Sequence, residues 1–121
     1  MPHVILQGPL VPEDIWLAFQ PEEFTEGGDR YKAEEAFLSS DKKVLLIRSF
    51  TVERGFTKVF YVRVALKEGQ LSIGLDKLTK PDASDGVKRL LGLYAWKILQ
   101  NDPETAIAST NIEEFVREPA G

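Results

Sequence analysis

The stretch from Lys43 to Asp76, KVLLIRSFTVERGFTKVFYVRVALKEGQLSIGLD, constrains the fold most, because three strand-like runs in it are separated by two turn signals. Val44–Val52 and Phe56–Leu66 are mainly β-branched, aromatic or long aliphatic, which suits a pleated, half-buried surface. Successive side chains of a strand point to opposite faces. In the second run Phe56, Lys58, Phe60, Val62, Val64 and Leu66 therefore share the face assigned to a core, and Thr57, Val59, Tyr61, Arg63, Ala65 and Lys67 share the other. Leu71, Ile73 and Leu75 repeat the alternation. Glu53-Arg54-Gly55 and Glu68-Gly69 are too short for parallel crossovers, and their glycines can take the positive φ of tight hairpins, so the sheet is predicted to be antiparallel.

Other elements are placed around this sheet. Val4–Leu6 reads as an edge strand, and Tyr31–Leu38 as a further strand, although its KAEEAF string also has good helix propensity. Proline at a first helical position and acids in the first turn predict a short helix from Pro12, laying Trp16 and Phe19 on the sheet. The segment PEEFTEGGD, residues 21–29, reads as an acidic loop with Gly27-Gly28 at its tip. A long helix is predicted from Ser84 to about Gln100, and its Val87, Leu90, Leu91, Tyr94, Ala95 and Ile98 form one apolar face. Leu93, Trp96 and Leu99 fall on the opposite side and need a second cover, from the C-terminal segment or from another subunit. Residues 103–109 are left open between helix and strand, and the Thr110/Glu113 spacing predicts a short terminal helix ending near Arg117. The expected fold is a single α+β domain over residues 1–121: a four- to five-stranded, mainly antiparallel meander, one face covered by the long helix and short terminal helices.

Residue inventory removes several chemistries. There is no cysteine and one histidine, His3, read as a solvated terminal residue, so thiol nucleophiles, zinc centres and an imidazole base are hard to build, and no cofactor is implied. No phosphate-cradling glycine string occurs, and the Ser39-Ser40-Asp41-Lys42 string reads as a turn rather than a nucleophile with its base. Glu22, Glu23, Glu26 and Asp29 are expected to be solvated carboxylates. A net charge of −4 disfavours nucleic acid and anionic membrane. The lack of a long apolar run and of signal-peptide features in MPHVILQGPL leads us to expect a cytoplasmic protein with no membrane segment.

Arg54-Gly55-Phe56-Thr57-Lys58-Val59-Phe60-Tyr61 partly resembles the RNP1 string of RNA-recognition motifs, whose exposed rings stack bases. Lys58 stands where a stacking aromatic belongs, and no helix precedes the strand. Arg48, Arg63 and Lys58 could form a basic spot beside Phe50, Phe60 and Tyr61, or pair with Glu35 and Glu53.

Three functions follow as expectations. The first is a non-enzymatic protein-interaction module, self-associating as a homodimer through Leu93, Trp96 and Leu99 or through the exposed sheet face. The second is a cup for a small apolar or amphipathic ligand, with polar contacts from Trp16, Arg48, Tyr61 or Arg63. The third is single-stranded RNA binding through Phe56–Leu66.

Overall fold

The computed structural model describes residues 1–79 and 81–119. In chain order the elements are β1 (His3–Gln7), α1 (Pro12–Ala18), β2 (Glu22–Glu26), β3 (Asp29–Leu38), β4 (Val44–Glu53), β5 (Phe56–Lys67), β6 (Gln70–Leu75), α2 (Asp85–Asn101) and β7 (Ala106–Thr110), with short 3-10 turns at Lys77–Thr79 and Glu113–Phe115. All seven strands form one antiparallel sheet in the order β2-β3-β4-β5-β6-β1-β7. The protein is α+β as expected, with more strands than the four or five predicted.

The extra strands come from segments whose local signal is weak. β2 is the acidic EEFTE run, a strand because it is the first arm of a hairpin with β3. Its tip is Gly27-Gly28, with φ of 60° and 88°, and the turns at Arg54-Gly55 (53° and 81°) and Glu68-Gly69 (51° and 77°) have the same sign at both positions. Positive φ at both central residues is what a two-residue hairpin needs to match the right-handed twist of its strands. Three such turns generate the meander β2 to β6, except for the longer β3–β4 link. There Ser39 Oγ donates to Asp41 Oδ1 and accepts from Val44 N, which confirms the turn reading of Ser39–Lys42.

β1 is not an edge strand, because β6 pairs with one side of it and β7 with the other. This also pins His3, which starts β1 and donates its backbone N–H to Asn111 Oδ1, so it is not a frayed end. Residues 31–38 are strand, and most of 103–109 becomes β7. Asp102 and Pro103 start no new helix; Asp102 instead accepts from Thr105 Oγ1 (2.7 Å) and Glu104 N (3.1 Å) in the turn that leads into β7. The terminal helix shrinks to the 3-10 turn.

Bulges at Ala33/Glu35 in β3 and at Ile5/Leu6 opposite β7 interrupt the registers. Each adds a local bend to the sheet. The concave face carries Leu45, Ile47, Phe60, Val62, Val64 and Ile73, all buried, and α2 lays Val87, Leu90, Leu91, Ala95 and Ile98 across it. The predicted phase of β5 holds at Phe60, Val62 and Val64, but Phe56, next to the hairpin turn, is 74% exposed.

The start of α2 is fastened to the sheet. Ser84 caps it by accepting from Val87 N (3.3 Å). Glu53, at the end of β4, accepts from Ser84 Oγ (2.8 Å), Gly86 N (3.0 Å) and Thr51 Oγ1 (3.1 Å), with Lys58 Nζ 3.7 Å away. A carboxylate on the exposed amides of a helix N-terminus satisfies both their hydrogen bonding and their partial positive charge. Farther along, Gly92 lets the 3-10 turn approach, since a Cβ there would lie 1.9 Å from Phe115 O. Arg117 follows and holds Glu26 with two hydrogen bonds of 2.9 and 3.0 Å. Arg89 Nε lies 2.9 Å from the same carboxylate without hydrogen-bond geometry, while its Nη1 donates to Tyr31 OH at 3.0 Å.

Among the described residues no helix is long and apolar enough to cross a membrane.

Candidate functional site

A cavity of about 450 Å3 opens where α1 bridges the concave sheet and the C-terminal half of α2. Its floor is Ala33 of β3, Ile47 of β4 and Val64 of β5, all buried. One wall is Ile15, Ala18 and Phe19 of α1 and its C-cap, at the spacing that puts side chains on one helical face. The other wall is Tyr94, Lys97, Ile98 and Asn101 of α2, again one face. Asp14, Gln20, Glu22 and Asn101 contribute the exposed polar margin, with the part-buried Lys97 beside them.

Two polar features distinguish this space from a packing defect. Tyr94 is in the lining, and its OH lies 2.8 Å from the buried Ser49 Oγ, whose own hydroxyl donates to Ile47 O at 3.1 Å, so the tyrosine is the donor of the pair. Burial pushes the Tyr94 hydroxyl pKa well up, and the Ser49 hydrogen bond offsets only part of that. The phenol therefore stays neutral and serves as a fixed dipole. At the mouth, Lys97 forms an ion pair with Glu22 across the gap between α2 and β2. Burial lowers the Lys97 pKa, because an ammonium half removed from water is less favoured.

The residues expected to contact a ligand lie elsewhere. Arg48 and Tyr61 are opposite each other across β4 and β5, and Arg63 faces Leu46, all on the convex side away from α2. The period-two alternation that points Ile47, Val62 and Val64 inward turns these three outward. Arg48 pairs with Glu34 at 3.3 Å, a residue brought there by the β3 bulge instead of Glu35. Trp16 is 41% exposed and does not line the cavity; Ile15 takes the inward position, so α1 is rotated by one residue from the expected setting.

Leu93 is 3% exposed, and Trp96 and Leu99 pack partly buried against the core. Ile112, Phe115 and Val116 join the same cluster, so the chain's own C-terminal segment provides cover on that side of α2. On β5 the outward positions Val59, Tyr61 and Arg63 remain accessible, while Lys58 faces inward to Glu53.

Sequence reasoning missed Lys97, Glu22 and the pairing of Tyr94 with Ser49. A signal existed for two of them: Tyr94, Lys97, Ile98 and Asn101 share a helical face, and Ser49 and Thr51 interrupt the apolar inward positions of β4. Glu22 had no such signal, since its position depends on β2 pairing with β3.

Comparison with family models, with curated proteins and with solved structures found no match to this chain.

Proposed function

We propose that the protein binds a small, mostly apolar or amphipathic molecule in the cup between α1, the concave sheet and α2. One observation supports the reading above all: the cavity of about 450 Å3 has a buried apolar floor and a few convergent polar groups at its mouth. Small-molecule sites have this construction and occupy roughly 300–1,000 Å3.

The interaction-module reading has less to draw on, because Leu93 is buried and the C-terminal segment lies against that side of α2. RNA binding through β5 would use Val59, Tyr61 and Arg63 on the convex face of an acidic protein. Neither offers a concave site.

The test is titration with Nile red, a neutral dye that brightens in apolar surroundings, on the wild type and on Ala33→Phe and Ile47→Phe. Each substitution adds volume to the floor. Saturable one-to-one binding should weaken at least roughly tenfold in the filled variants while they remain folded, as expected when an apolar site of drug-like size is occupied. Dye binding that is absent from the wild type, or unchanged in both folded variants, would reject the cup.

A further inference from the structure

We propose that the ligand is a monocarboxylate with an apolar body, and that its carboxylate binds Lys97 in place of Glu22. This rests on the cup reading above and adds the head-group chemistry to it.

Among the described residues three charged ones line the cavity, and of these Lys97 is the cation. It is also the least exposed of the charges at the mouth: its side chain is 36% exposed against 45% for Glu22, and Asp14 is an exposed residue. A head group entering behind an apolar tail therefore meets an ammonium as the least exposed charge of the mouth. Asp14 is already engaged, accepting from Val11 N at 2.9 Å where α1 begins.

Glu22 shows that Lys97 accepts a carboxylate at this position. It is also free to leave. It begins the edge strand β2, and its long side chain can swing into water, where a surface ion pair is worth little. Exchange of one carboxylate for another keeps Lys97 neutralised and trades an exposed, screened pair for one beside the apolar cavity, so the swap favours a carboxylate head modestly while burial of the apolar body supplies most of the binding. An ammonium head would instead meet Lys97 as a like charge. A neutral hydroxyl leaves the Glu22 pair in place and gains no charged contact.

The experiment is calorimetric titration of decanoate and decyltrimethylammonium, each below its micellar concentration, and of decan-1-ol below its solubility limit. The proteins are the wild type, Lys97→Met, Lys97→Gln and Glu22→Gln. Decanoate should bind the wild type roughly threefold to tenfold more tightly than the alcohol, the span expected for a partly exposed charged contact. Both Lys97 variants should erase that preference while still binding the alcohol. Glu22→Gln should tighten decanoate and leave the alcohol within about twofold of wild type. If the alcohol or the ammonium compound binds the wild type as tightly as decanoate, or the preference survives both Lys97 variants, the carboxylate assignment falls and the cup stands. If Glu22→Gln weakens decanoate, the displacement step is wrong. If no compound binds the wild type, the cup falls and the assignment with it.

Discussion

Replacing Gly92 with alanine should destabilise this protein, against the direction that helix propensity gives. Gly92 is an interior residue of α2, where alanine is favoured over glycine by about 1 kcal/mol. Tertiary structure opposes that gain. The new Cβ would lie 1.9 Å from Phe115 O, 2.3 Å from Phe115 C and 2.9 Å from Phe115 Cβ. The first two are backbone atoms, so no rotamer change relieves them. Restoring ordinary contact at 3.4 Å requires the 3-10 turn to move off the helix by about 1.5 Å, the difference between those two distances. That motion loosens Ile112, which is 2% exposed, and the half-buried Phe115 and Val116. Full exposure of one such side chain costs roughly 1.5–3 kcal/mol. Partial exposure of three, less the propensity gain, leaves a net loss of about 2 kcal/mol. Urea denaturation followed by tryptophan fluorescence and circular dichroism gives the stability change. Tryptic cleavage after Arg117 under native conditions reports the C-terminal segment separately and should accelerate. A Gly92→Ala protein as stable as wild type, or more so, with unchanged cleavage at Arg117, would refute the reasoning.

Three further variants test the charged contacts around α2. Burial raises the Glu53 carboxyl pKa, but hydrogen bonds from Ser84, Thr51 and Gly86 outweigh it and hold the group below the usual carboxylate value. Its contribution is therefore fully present above the unfolded value near 4.5 and is lost as pH falls through the folded one. Glu53→Gln should cost about 1–3 kcal/mol at pH 7, from disrupted hydrogen bonds to a charged acceptor, and the gap to wild type should narrow in denaturation curves below about pH 4.5; a gap constant down to pH 2.5 would count against the assignment. Arg117→Ala should cost no more than about 1 kcal/mol, because the arginine is largely exposed and Arg89 remains beside Glu26. Glu26→Ala should cost more than Arg117→Ala, since it deprives both arginines of the same carboxylate, and equal unfolding midpoints for the two variants would show that the cluster is not acting as described.

The amino-acid sequence by itself determined the central meander, the inward phase of Phe60, Val62 and Val64, the turn at Ser39–Lys42 and the helix that starts at the Ser84 cap. Each of these is written in a local rule: an alternation of period two, a glycine at a turn, a hydroxyl before an apolar stripe. Only the tertiary structure put β1 inside the sheet, between β6 and β7, and made strands of β7, which pairs with the distant β1, and of β2, whose weak local signal is completed by its hairpin partner β3. The same holds for the stripe at Leu93, where local periodicity reveals an unmet need for cover but not which segment meets it. The cup is the furthest from local pattern. It is bounded by β3 beside its bulge at Ala33/Glu35, by a two-turn helix and by an ion pair between residues 75 positions apart, counted from Glu22 to Lys97. A void is the space that packed elements fail to fill, and no single stretch of chain encodes it.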